Sequence, residues 1–277
     1  MSTPIPAGSL RPTHTSTLQV GSTEITLQDR DRTRPFLLLH GGGGVLTMAG
    51  FADLLSERTH SRVLLPTHPG FGGTPKADGL TTVAALASAY VAMLDQLDLT
   101  DVTVIGNSFG GWLAAEIALQ HSPRVSGVVI VDGVGIEVEG HPLTDVRGMS
   151  PVEIQSFSFH DPNKAPVPRS AGGTGPSPDV MALIGYAGPS MSDPTLAGRL
   201  GGIDIPVRVL WGESDRIADP EYGKAYAAAI PLSTYTLLPR TGHLPQLETP
   251  EELLGAILDL GNRDDLASSA TGGRQVM

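Results

Sequence analysis

The 277-residue sequence predicts an α/β protein: a mostly parallel central sheet flanked by helices, with a small helical segment inserted after the sixth strand. Three observations predict it. Short uninterrupted apolar runs at 36–39, 63–65, 102–105, 128–131 and 207–211 suit parallel strands covered on both faces. Helical periods lie between them, the clearest being Val83, Leu86, Ala87, Tyr90, Val91, Leu94 and Leu97, whose three- and four-residue steps make one apolar face. The alternation of strand and helix implies right-handed crossovers, which put functional loops at the carboxyl ends of the strands.

Taken in order, the opening is polar, and the alternating stretches at 17–20 and 24–27, joined by Gly21-Ser22, read as a hairpin at an antiparallel edge. The alternation then breaks at 134–202, which is rich in Pro and Gly and lacks a convincing buried strand. That stretch reads as an inserted lid, because unstructured loops of such length are uncommon in compact domains. Ser150-Pro151-Val152-Glu153 is a capping box with proline at the first helical position, and Ser177-Pro178 and Asp193-Pro194 resemble two further helix starts. The tract Ala171-Gly172-Gly173-Thr174-Gly175 reads as its disordered part. The chain resumes with a strand from Pro206, a helix from Asp219-Pro220, a strand at 234–238 and a helix opened by Thr249-Pro250-Glu251-Glu252. The expected division is a flexible segment 1–16, a core of 17–133 and 203–261, a lid 134–202, and a flexible tail 262–277.

Composition narrows the function. A formal charge of −11 with no Lys/Arg cluster argues against nucleic acid as a partner. With no cysteine there is neither a disulfide framework nor a thiolate nucleophile, so oxygen nucleophiles are left. The first fifteen residues lack the apolar stretch of a secretory signal, and no run approaches the roughly 20 apolar residues of a membrane span, so a cytoplasmic protein without membrane partner is expected. A homo-oligomer is left open.

The strongest local signal is Gly106-Asn107-Ser108-Phe109-Gly110, between the apolar strand at 102–105 and the helical run at 112–119. A serine on a sharp strand-to-helix turn is pushed out over the sheet, and crowding there demands small neighbours. The helix N-terminus beside it favours negative charge on a substrate oxygen, with the Phe109 N–H as one donor. A hydroxyl needs a base, and His243, in the loop between the last strand and the last helix, is the choice among eight histidines. His60 and His121 sit at helix ends and read as solvated or capping groups, while His14, His141 and His160 fall in the tail or lid. The orienting carboxylate is expected after another strand, where Asp215 follows the lid and precedes His243. Glu213 and Asp132 stay open as substitutes. Gly41 and Gly42, in the run His40-Gly41-Gly42-Gly43-Gly44, follow a strand, and the Gly42 N–H is the natural second donor to a substrate oxygen.

At these residues the sequence resembles the α/β-hydrolase superfamily. The successive motifs are His40 to Gly44, Pro69-Gly70-Phe71-Gly72, Gly106 to Gly111, Gly212 to Asp215 and Gly242-His243. The resemblance implies a triad of Ser108, Asp215 and His243, oxyanion donors at Gly42 and Phe109, and a cap at 134–202. Gly-Asn-Ser-x-Gly-Gly and His-Gly-Gly-Gly are similar to carboxylesterases and to the carbon-carbon bond hydrolases that cleave vinylogous diketones. The sequence departs from the latter at Gly44 and Val45, where they usually read Pro-Gly. Hydrolysis of a carboxylic ester of a small organic substrate is therefore expected, with carbon-carbon bond hydrolysis as the alternative and a non-catalytic binding protein as a third reading. The chemistry requires no metal and no organic cofactor.

Overall fold

The structure, a computed structural model, describes residues 14–30, 35–166 and 177–258. The glycine tract and the polar tail at 262–277 lie outside the described residues.

The strands are β1 (His14–Val20), β2 (Thr23–Arg30), β3 (Pro35–Leu39), β4 (Arg62–Thr67), β5 (Val102–Asn107), β6 (Val125–Val131), β7 (Val207–Gly212) and β8 (Ser233–Leu238). They form one sheet in the order β1-β2-β4-β3-β5-β6-β7-β8. β1 and β2 are the expected antiparallel edge, and every pairing from β4 to β8 is parallel. His14, expected in a tail, opens β1 instead.

The helices are α1 (Leu46–Thr59), α2 (Val83–Gln96), α3 (Phe109–Ala118), α4 (Pro151–Ser158), α5 (Pro178–Ala187), α6 (Leu196–Arg199), α7 (Pro220–Ala228), α8 (Pro245–Glu248) and α9 (Pro250–Leu258). The uninterrupted apolar strands follow from a sheet covered on both faces. Leu37, Leu39, Val104, Val128, Ile130 and Val209 share one core with Leu86, Tyr90, Leu94, Leu113, Tyr222 and Tyr226 of α2, α3 and α7. Leu38, Ile105, Val129, Val131 and Leu210 point the other way and pack with Met48, Phe51, Leu55, Leu253 and Ile257 of α1 and α9. Each fully buried aliphatic side chain contributes about 1.5–3 kcal/mol, so both layers stabilise the frame that carries the strand ends.

Between β6 and β7 the chain forms short helices, as expected. Ser150 accepts the Glu153 N–H, and Glu153 returns the bond to the Ser150 N–H at 2.7 Å, completing the capping box of α4. Ser177 caps α5 by accepting the Val180 N–H. The third expected start differs. Asp193 accepts both the N–H and the hydroxyl of Thr195, closing a local turn, and α6 begins only at Leu196. A short acidic side chain can satisfy such a turn as readily as a helix end. No helix among the described residues is long and apolar enough to cross a membrane.

Candidate active site

The site gathers at the carboxyl ends of β3, β5, β7 and β8. Ser108 stands between β5 and α3 at φ 56° and ψ −119°, a left-handed geometry strained for a residue with a side chain. The surroundings hold it there. The Ser108 N–H donates to the Val131 carbonyl at 3.0 Å, and its carbonyl accepts the Gly111 N–H at 2.9 Å. A Cβ on Gly106 would strike the Gly110 carbonyl, and one on Gly110 would strike the Leu39 carbonyl, so only glycine lets the turn close this tightly.

The structure brings Ser108, His243 and Asp215 together. Ser108 Oγ lies 2.9 Å from His243 Nε2, and His243 Nδ1 lies 2.7 Å from Asp215 Oδ2. The bond to Asp215 assigns the proton to Nδ1, leaving Nε2 free to accept the serine proton. Asp215, only 2% exposed, accepts the Ile217 and Ala218 N–H groups on Oδ1 at 2.7 and 3.2 Å. The Trp211 indole holds that turn through the Ala218 carbonyl at 2.9 Å. Of the two open alternatives, Glu213 turns away and accepts the Arg240 N–H at 3.0 Å. Asp132 is fully buried, and its Oδ1 accepts the Gly212 N–H at 2.7 Å; the His243 bond goes to Asp215.

Gly41 sits against the serine: a Cβ there would lie 3.0 Å from the Ser108 Cβ. Among the described residues the N–H groups of Gly42 and Phe109 find no intramolecular acceptor. Two donors are thus unspent near Ser108. Above them, Leu183 of α5 approaches Gly42, and Asp179 accepts the Gly72 N–H at 2.8 Å, so α5 lies over both glycine-rich loops. Tyr186 of α5 adds a bond from its hydroxyl to the Pro69 carbonyl at 2.9 Å.

Those loops are tied by two histidines that sequence reasoning left without a role. His40 Nδ1–H donates to the Gly41 carbonyl at 2.8 Å, and its Nε2 accepts the His68 N–H at 3.1 Å. His68 Nε2–H donates to the His40 carbonyl at 2.9 Å, while Nδ1 accepts the Tyr90 hydroxyl at 2.6 Å. Both rings are neutral: burial lowers His40 to about 4 and holds His68 well below its ordinary value. The other histidines stand apart. His60 caps the end of α1 in a left-handed conformation, His121 lies in the turn beyond α3 and faces Asp204 at 3.1 Å, His141 bonds Asp219, and His160 bonds Ser214.

Three more supporting residues were not anticipated. Asn107 donates to the His243 carbonyl at 3.0 Å and to the Val131 carbonyl at 3.2 Å, and Gln246 donates to its Oδ1 at 2.9 Å. Glu248, buried in α8, accepts the N–H groups of Gly242, His160 and Asp161 at 2.7, 3.0 and 2.7 Å. It fastens the His243 loop to the end of α4, where the Ser158 carbonyl accepts the His243 N–H at 2.8 Å. A separate groove of about 220 Å³ beside His121, Val125 and Asp204 opens at the amino end of β6, away from this chemistry.

Comparison with known proteins gives a consistent picture. A model described as the alpha/beta hydrolase family matches residues 36–256. The chain is 36% identical over 128 residues to 2-hydroxy-6-oxo-2,4-heptadienoate hydrolase of Pseudomonas putida, an alignment covering 45% of each protein, so less than half of that relative's length is matched. It is 25% identical over 288 residues to 2-hydroxy-6-oxononadienedioate/2-hydroxy-6-oxononatrienedioate hydrolase of Cupriavidus pinatubonensis, covering 89% of this chain and 94% of that one. Among solved structures, a thermophilic esterase from Thermogutta terrifontis has a TM-score of 0.70 at 24% identity, covering 90% of this chain and 98% of that one, a likeness of fold.

Proposed function

The chain belongs to the alpha/beta hydrolase family, and from that premise we propose that it is a serine hydrolase cleaving a carboxylic ester of a small organic substrate through an acyl-enzyme. The observation that carries the reading is the unbroken run of hydrogen bonds from Ser108 Oγ through His243 to Asp215, at 2.9 and 2.7 Å. As Ser108 Oγ attacks the ester carbonyl, its proton passes to His243 Nε2, and Asp215 stabilises the resulting imidazolium. The carbonyl oxygen becomes an anion that the unspent Gly42 and Phe109 N–H groups receive. His243 then gives its proton to the departing alcohol. Water, deprotonated by His243, releases the acid and restores Ser108. Residues 134–202 serve as the cap that closes over the substrate, with α5 as the part nearest the glycine loops.

Carbon-carbon bond hydrolysis is the second reading, favoured by the names of the two relatives. Their named dienoate and dienedioate substrates carry carboxylates, which call for a cation. Among the described residues between β6 and β7, Arg147 is paired with Asp145, Lys164 donates to the Glu248 carbonyl, and Arg199 is paired with Glu116 and Asp193. Beside that segment, Lys76 stands over the Tyr186 ring of α5 at 3.8 Å and would serve such a carboxylate, so the bond type is decided by the substrate panel below.

A fluorophosphonate probe followed by peptide mapping tests the nucleophile: labelling of Ser108, lost in Ser108→Ala, is expected, and a label elsewhere or none refutes it. A panel of aryl esters beside a chromogenic vinylogous diketone then separates the two bond types. Turnover of the diketone with none of the esters would select the second reading.

A further inference from the structure

Behind Asp215 lies a buried acid that the acyl-transfer scheme leaves unused. Asp132 follows β6 at φ 46°, and its side chain is fully buried. Its Oδ1 accepts the Gly212 N–H, but Oδ2 is equally enclosed and meets no donor among the described residues. A carboxylate oxygen sealed from water without a donor is costly, and the cost vanishes if that oxygen carries a proton.

Asp215 is differently placed. Its two oxygens take three N–H donors, from Ile217, Ala218 and His243. A carboxylate oxygen of each acid and a ring nitrogen of His243 lie within 4.8 Å of one another. Two adjacent buried carboxylates cannot both keep their charge, so the acid with three donors stays ionised and the acid with one takes the proton.

We propose that Asp132 is a neutral carboxylic acid whose Oδ2–H donates to the Asp215 carboxylate, making it a positioning residue that fixes Asp215 and moderates its hold on His243. The inference rests on the Ser108 reading above. Burial, then the charge of Asp215, pushes the Asp132 carboxyl well above the usual carboxylate range. The other titratable groups facing it are His243 from the loop after β8 and Tyr235 on β8, whose hydroxyl is turned to the Pro220 carbonyl at 3.1 Å. The neighbouring Asn107 on β5 is uncharged, and Glu213 faces Arg240. A neutral donor on Asp215 disperses its charge, so the imidazolium formed during attack releases its proton more readily to the leaving alcohol.

The test follows the rate at which a fluorophosphonate labels Ser108 across pH, which needs no knowledge of the natural substrate. In Asp132→Ala the rate at neutral pH falls about fivefold and the acid limb moves up by about half a unit, the scale of one neutral hydrogen bond. Asp132→Asn, whose amide N–H donates as the acid O–H does, restores both. Infrared spectroscopy reads the proton directly, without the alanine variant: wild type shows a protonated-carboxyl stretch at neutral pH that Asp132→Asn lacks. Absence of that band, Asn behaving like Ala, or an alanine variant with an unmoved acid limb overturns the inference. So does a divalent ion that survives gel filtration and is lost in Asp132→Asn, since a cation would then occupy the place of the proton. Ser108→Ala run alongside separates the layers: persistent labelling refutes the nucleophile itself, whereas lost labelling with no effect at Asp132 refutes only this inference.

Discussion

At Ser108 local strain and tertiary support meet. The residue holds φ 56° because Val131, Gly111 and the close backbone at Gly106 and Gly110 leave it no alternative. In Gly110→Ala the new methyl would meet the Leu39 carbonyl, a backbone group that cannot swing aside, so a loss of about 3 kcal/mol or more is expected and chemical denaturation should show it as a lowered midpoint. Asn107 acts at a distance in sequence: it reaches the His243 carbonyl 136 residues away. Asn107→Ala should lower kcat about 10- to 100-fold with little change in KM, because it loosens the base without touching the ester. Unchanged kcat would remove Asn107 from the site. Ser108, Asp215 and His243 were legible in the sequence because each sits in a short motif at a strand end, in a fixed order. Asn107, Gln246 and Glu248 were not, because their roles consist of bonds between loops that only the folded sheet brings together.

Elements explain how the inserted segment is fixed. Its helix starts at Ser150 and Ser177 were readable, since a cap is a local hydrogen bond within four residues. What docks those helices was not. Arg199 of α6 reaches Glu116, a nearly buried acid on the helix that follows Ser108, through two bonds of 2.9 and 2.7 Å. Glu248 holds the end of α4 to the His243 loop. In Glu248→Gln an amide NH2 would replace one accepting oxygen and face an N–H, so a loss of about 2 kcal/mol is expected. Denaturant titration checks the stability, and the rate of Ser108 labelling should fall with it if the loop moves. A variant that loses neither would show that α4 docks without this acid.

For the whole molecule, the parallel, doubly covered sheet was legible because burial on both faces writes itself into uninterrupted apolar strands. Its polar interior was not, and that interior sets the response to acid. His40 and His68 are buried, neutral and fully bonded between the ends of β3 and β4. In the unfolded chain His40 takes a proton as pH falls through its ordinary 6.5, whereas folded it resists until about 4. Its contribution is therefore complete above pH 6.5 and is lost on the way down to about 4, reaching about 3 kcal/mol at the limit. His68, held well below its ordinary value by burial and by His40, adds a loss of the same sign. The free energy of unfolding from urea titrations should thus peak near pH 6.5 and fall below it, above the range where carboxylates titrate, with a net slope approaching one proton between about pH 6 and 5, because the proton that Asp132 takes up on folding offsets one of the two that the imidazoles exclude. A profile that does not fall across that interval would mean that at least one of the imidazoles accepts its proton without breaking the link between the glycine loops.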